Sequence, residues 1–179
     1  MIYNVAQLLK SQVGASQDIT LDELAKLDLE DESVRLIGPI RGNLRLRRTN
    51  QGLLVTGPIE TEVELTCVRC LDLYRQYVTF ALEEQYYPTV DVVTGVSLPK
   101  AENELIFPID HHHQLSLDEA VRQNLLLALP MQPLCKENCA GLCPHCGNNF
   151  NHGTCNCQPD QDERFSALQA LLADFPQPE

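Results

Sequence analysis

The chain has 179 residues, 44% of them hydrophobic, 6% aromatic and none tryptophan, which allows one aliphatic-cored domain plus a small appendage. Its 25 acids against 13 bases give a formal net charge of -12, which repels bare nucleic acid at long range and leaves RNA only a local patch or a protein intermediary. No apolar run approaches the ~20 residues of a membrane helix, and Met1-Ile-Tyr-Asn-Val-Ala-Gln shows no basic stretch leading into an apolar one, so neither a membrane span nor a secretory leader is expected and the expected location is the cytoplasm.

Residues 1–32 read as an acidic N-terminal helical arm. Val5, Leu8 and Leu9 supply one small apolar face, and Leu21, Leu24, Ala25 and Leu27 another. Thr20 with Glu23 three positions on has the pattern of a capping box for the second helix. From Ser33 the period changes. Leu44-Arg45-Leu46-Arg47 alternates, Asn50-Gln51-Gly52 supplies a turn, and Thr61-Glu62-Val63-Glu64-Leu65-Thr66 alternates again up to Cys67. A return strand over 74–82 then places Cys67 and Cys70 on a turn between strands. Gly38-Pro39 and Gly57-Pro58 mark bends, since proline lacks the donor a ladder needs. Residues 87–104, with Pro88, Gly95 and Pro99, read as a long loop or insert, and 105–109 as a last short strand. A helix opens with a capping box of Ser116 and Glu119, carries Leu117, Val121, Leu125 and Ala128 on one side, and stops at Pro130. A closing helix is expected over 160–174, with Phe165, Leu168, Leu172 and Phe175 aligned. The expected fold is therefore α+β, an antiparallel β-sheet with flanking helices. Its α+β core covers 33–129, and a cysteine-rich, zinc-binding C-terminal subdomain with the closing helix covers 130–179.

Eight cysteines carry the chemistry. Cys135, Cys139, Cys143, Cys146, Cys155 and Cys157 fall within one short stretch, and Cys67-Val-Arg-Cys70 forms a separate pair. In a cytosolic chain such thiols are read as metal ligands rather than disulfides. A tight turn brings two sulfurs about 3.7 Å apart, the edge of a zinc tetrahedron with Zn–S near 2.3 Å. In Cys143-Pro-His-Cys146-Gly147, proline sets the turn and glycine lets backbone amides face the sulfurs. Cys143 and Cys146 belong with Cys155 and Cys157 in a ribbon-like site, although the single residue between the latter two departs from the commoner spacing. Cys135 and Cys139 are left to join Cys67 and Cys70, clamping the segment onto the strand domain. One C-terminal site with thiols to spare is the other partition, so one or two ions fit. His145 and His152 are reserve ligands. An all-sulfur tetrahedron is closed, so the expected zinc is structural rather than catalytic; a four-thiolate iron–sulfur cluster is the other occupant such ligands could take.

Residues 33–59 contain no acid and five bases: Arg35, Arg41, Arg45, Arg47 and Arg48. Arg45 and Arg47 share a strand face opposite Leu44 and Leu46, and this patch could grip phosphates at short range or simply protect a strand edge. His111-His112-His113 reads as a solvated loop, because consecutive residues on an extended chain point to opposite faces. No phosphate loop, nucleophile elbow or paired-carboxylate arrangement stands out, and neither an enzyme nor a small-molecule substrate is expected.

Cys67-Val-Arg-Cys70-Leu, Leu125-Leu-Leu-Ala-Leu-Pro130, Pro133-Leu-Cys-Lys-Glu-Asn-Cys139, Gly141-Leu-Cys-Pro-His-Cys-Gly-Asn-Asn149 and Arg164-Phe-Ser-Ala-Leu168 together resemble the YceD family. The resemblance runs from the first strands to the closing helix. It implies a non-enzymatic factor that supports accumulation of 23S ribosomal RNA and assembly of the large ribosomal subunit, in a bacterial cytoplasm or a plastid stroma. The implied partner is large-subunit RNA or a pre-ribosomal particle, reached directly or through a ribosomal protein. It supplies no catalytic residues. Two rival readings remain open at the level of sequence: an adaptor docking a basic ribosomal protein or nuclease without RNA contact, and a redox-sensing zinc protein.

Overall fold

Ten elements follow one another in the computed structural model, which describes residues 1–24, 27–29, 33–99 and 107–157. They are β1 (Ile2–Asn4), α1 (Ala6–Lys10), β2 (Ser16–Glu23), β3 (Val34–Leu36), β4 (Ile40–Arg48), β5 (Leu53–Thr66), β6 (Leu73–Pro88), β7 (Phe107–Ile109), β8 (Gln114–Ser116) and α2 (Asp118–Ala128). All lie in one compact unit, Met1–Val68 with Asp72–Cys135, apart from a second unit that holds Arg69–Leu71 and the chain from Lys136.

The sheet is built on β5 and β6, whose alternating side chains specify a single register. They pair antiparallel from Leu53↔Tyr86 to Thr66↔Leu73. The odd positions of β5 other than Gly57, with Leu44 and Leu46 of β4 and Val78, Leu82 and Tyr86 of β6, turn inward and are buried. A one-residue slip would expose that whole set, at a cost of about 1.5–3 kcal/mol for each large side chain. The order is β1-β8-β7-β6-β5-β4-β2, with β3 also on β5. β3 and β4 are one strand interrupted at Gly38-Pro39: the amides of Ile37 and Gly38 both donate to the Glu62 carbonyl, and pairing with β5 resumes at Arg41↔Glu60. This is a bulge, with two N–H groups sharing one acceptor.

Only part of the α+β expectation stands. The chain is mostly sheet, and among the described residues its helices are the five residues of α1 and the eleven of α2. Where the expected helix would begin, Leu21 to Glu23 belong to a strand instead, and Ala25 lies outside the described residues. Ile19 and Leu21 alternate with Asp18, Thr20 and Asp22, and β2 pairs along its whole length with β4, from Ser16↔Arg47 to Glu23↔Ile40. Tertiary pairing overrides the local capping pattern, and the Thr20 hydroxyl donates to the Asn43 side chain rather than to a helix. The capping box at α2 also fails to close. Glu119 is held by Arg122 and Gln123, which keep its carboxyl down to about 2. The sheet is not wholly antiparallel either, since β7 runs parallel to β6 with Tyr86↔Phe107. A parallel pair needs a long crossover, which the insert after β6 provides. The expected closing helix over 160–174 lies outside the described residues.

The sheet's inner face packs with α1 and α2 around Leu8, Leu9, Ile40, Leu53, Ile59 and Tyr86, and a satellite cluster gathers Leu29, Val63, Leu65, Val78 and Leu125. The sheet curls so far that its two edges meet at one end, where the Tyr3 hydroxyl donates to Glu23 at 3.2 Å. The Tyr86 hydroxyl is buried with no hydrogen-bond partner among the described residues, and burial drives its titration well above the ordinary range. Tyr86→Phe removes that unpaired group while keeping the ring, so thermal unfolding should show unchanged stability or a gain of about 1 kcal/mol.

Candidate metal centres

The β5–β6 hairpin ends in a turn at 67–72 that presents the first cysteine pair. The Cys67 amide donates to the Asp72 carbonyl at 2.9 Å, and that of Val68 to the Pro133 carbonyl at 3.0 Å, which ties the turn to the stretch leading into Cys135. Just after Cys70 the backbone enters the left-handed region at Leu71, φ 61°. The second knuckle repeats this with glycine, Gly147 at φ 70° one residue after Cys146. There the Gly147 amide donates to the Cys143 carbonyl and the Cys143 amide to the Asn148 carbonyl. Leucine at the first position carries a strain of roughly 1–2 kcal/mol that glycine escapes, and its side chain is exposed, so little burial is lost by trimming it. Leu71→Gly should leave stability unchanged or raise it by up to about 1 kcal/mol in denaturant unfolding, with metal content intact.

Two groups of four sulfurs each lie within 4.8 Å of one another: Cys67, Cys70, Cys135 and Cys139, and Cys143, Cys146, Cys155 and Cys157. That spread admits a zinc tetrahedron, whose edge is about 3.7 Å. Both groups close without His145 or His152. Three thiols of the first group are buried, whereas Cys146 and Cys157 of the second are exposed.

The thiols of the second group compete for charge. Amides of Cys146 and His145 hydrogen-bond to Cys143 and hold its thiol down at about 6. The hydrogen bond to Cys146, desolvation and bonds to Cys155 and Cys143 push Cys157 up to about 12. Cys143 thus ionises readily while Cys157 keeps its proton, because the hydrogen bonds Cys157 makes to neighbouring sulfurs favour its neutral thiol. A divalent cation would let all four ionise, and bound there it would hold the two cysteine pairs together in a closed tetrahedron. In the first group, Tyr74 is raised by its own burial and then by the neighbouring sulfurs of Cys67 and Cys135.

The arginines separate into three kinds. Arg45 grips Asp18 through two bonds of 2.7 and 3.1 Å, and Arg41 meets Asp22 at 3.2 Å. Arg48 is turned inward onto the carbonyls of Leu9, Thr49 and Gly52, where it braces the β4–β5 turn. Arg35 and Arg47 are exposed and form no ion pair among the described residues. The acids facing Arg41 and Arg45 come from β2, which the expected helical arm had placed elsewhere. His111 and His112 lie with ring centroids 3.9 Å apart and tilted by 43° on the turn before β8, where Asp110 accepts the amides of His112 and Gln114.

The family model described as large ribosomal RNA subunit accumulation protein YceD matches residues 55–172, from β5 through both cysteine groups. The chain belongs to the YceD family. Among other relatives, an uncharacterized protein of Mycobacterium tuberculosis is 32% identical over 86% of this chain and 66% of its own length. An uncharacterized protein of Mycobacterium leprae is 26% identical over 73% of this chain and 58% of its own. A maize protein named large ribosomal RNA subunit accumulation protein YCED homolog 1, chloroplastic, is 26% identical over 75% of this chain and 54% of its own. This YceD chain therefore spans just under two thirds of the M. tuberculosis protein, and less of the other two. No solved structure matches it. No helix among the described residues is long and apolar enough to cross a membrane.

Proposed function

We propose that this chain is a non-enzymatic factor that supports 23S ribosomal RNA accumulation and large-subunit assembly, with two structural zinc ions holding its C-terminal half. The observation that carries the reading is the YceD match itself, which spans the long hairpin and both cysteine groups, while the maize relative bears the same function in its name. Zinc suits the ligands, since four thiolates around one ion leave no open position for water and favour a structural role over Lewis-acid chemistry. The site of action is the bacterial cytoplasm or the plastid stroma. The deciding experiment is the ratio of pulse-labelled 23S to 16S ribosomal RNA after depletion, with re-expression as control. A selective, reversible fall in 23S supports the reading, and an unchanged ratio overturns it.

Contact with the particle can be made by RNA or by protein. Arg41 and Arg45 already spend their charge on Asp22 and Asp18, which favours docking through a basic ribosomal protein over a broad phosphate grip. Direct RNA contact on this face is left to Arg35 and Arg47. Exchanging both for glutamate should abolish crosslinking to RNA with little change in melting temperature if the contact is direct. Undiminished recovery of 23S by that double variant would assign the docking to protein.

A further inference from the structure

Asn151 stands on the loop between Cys146 and Cys155, two members of the C-terminal cysteine group, yet its side chain serves the other group. Its Nδ2 donates to Cys139 Sγ at 3.3 Å. The amide cannot be turned the other way, because its Oδ1 accepts the Ala140 N–H at 3.1 Å, so the NH2 group faces the sulfur. The same Nδ2 also donates to Asn149 Oδ1 at 3.0 Å, and the Asn151 backbone amide donates to that oxygen at 2.9 Å. Asn149 in turn pairs with Leu142 and accepts the amides of His152 and Gly153 on its carbonyl.

Among the described residues this loop buries no large apolar side chain. Between residues 136 and 157 the buried positions are Cys139, Gly141 and Cys143 alone, so metal at the C-terminal group would add most of what holds it beyond these hydrogen bonds. A hydrogen bond to a ligating thiolate stabilises the anion and orients the ligand, and loss of such a bond lowers metal affinity by roughly 10–100-fold. Resting on the zinc reading above, we propose that Asn151 is a positioning residue coupling the two metal centres: filling the C-terminal tetrad orders the loop, the loop sets the Asn151 amide on Cys139, and the first tetrad then holds its ion more tightly. Coupling of this kind is reciprocal, so metal at the first tetrad also favours the ordered loop.

The test uses the full chain loaded with cadmium, whose NMR spectrum gives a separate resonance for each four-sulfur site. Wild type should bind two ions; fewer than two refutes the zinc reading itself and is seen before any variant is made. Asn151→Asp keeps the oxygen that accepts from Ala140 and removes the donor to sulfur. The first-tetrad resonance should move, and its release of metal to a chelator should quicken by roughly 10–100-fold, while the C-terminal resonance shifts little. Cys157→Ser, which vacates the C-terminal tetrad, should quicken release at the first by a similar factor, and adding Asn151→Asp to it should change little more. The proposal is overturned if Asn151→Asp leaves the first resonance and release rate unchanged, if it disturbs both resonances equally as general loosening would, or if the two substitutions act additively.

Discussion

Stripping both ions with a strong chelator should unfold residues 136–157 while leaving the central strands folded. Structural zinc in small metal domains is worth roughly 10–16 kcal/mol at neutral pH, and among the described residues this segment buries no large apolar side chain to replace it. Of its residues only Cys139, Gly141 and Cys143 are buried, two of them ligands. The strands stand on a different footing, since Leu44, Leu53, Val55, Ile59 and Leu82 are each at most 1% exposed without any help from metal. Hydrogen exchange by mass spectrometry with elemental analysis measures both parts at once. Two equivalents of zinc should leave, amide protection in 136–157 should fall to the level of an unfolded chain, and β4 to β6 should keep most of theirs. Retained protection in that segment after metal loss would show that the asparagine-rich turns suffice alone, and structural zinc would be discarded.

Gly52→Ala, in the turn between β4 and β5, should be among the most damaging single-methyl changes in the strand domain. An added Cβ would overlap the Tyr86 carbonyl oxygen and come within 3.0 Å of its carbon and 3.2 Å of Tyr87 Cα. All three atoms are backbone of β6, so no rotamer change relieves the clash. Relief requires opening the ladder at Leu53↔Tyr86, beside the turn where Thr49 and Gly52 exchange hydrogen bonds. The cost should be on the order of 3 kcal/mol or more, the upper end of overpacking penalties, which for a domain of this size lowers the melting temperature by roughly 10 °C. Calorimetry on Gly52→Ala beside Gly153→Ala, whose added Cβ meets nothing within 4 Å, isolates the effect. Equal melting temperatures would mean that the β5–β6 register gives more easily than its backbone contacts imply.

The cysteines were the most legible part of the chain because ligand chemistry is short-ranged: a turn of four residues decides which sulfurs meet. Order and spacing left two partitions of the eight thiols open, and the sulfurs lie in two groups of four, the grouping of one of them. The strands from β4 to β6 were legible for a similar reason, as each writes its buried face into its own alternation. What escaped was decided at long range. Thr20 and Glu23 carry a local helix signal, but the partner that makes their segment a strand lies in residues 40–47. The arginines looked like an open cationic patch until that strand set Asp18 and Asp22 against two of them. Leu71 in the left-handed region had no signal beyond its likeness in place to Gly147, since leucine is a poor marker for that conformation.

The pairing of Ile2–Asn4 with Gln114–Ser116 also sets an order of events in folding. The β5–β6 hairpin closes through a turn of a few residues, whereas β1 must find a partner more than a hundred residues away. Contacts of such separation carry the full entropy of closing the loop and form late, so β1 has to wait, unpaired, while the chain between is synthesised and folded. A three-residue strand is short enough to wait without offering a long edge for wrong pairings. The sheet is therefore sealed late, and by one of its shortest strands.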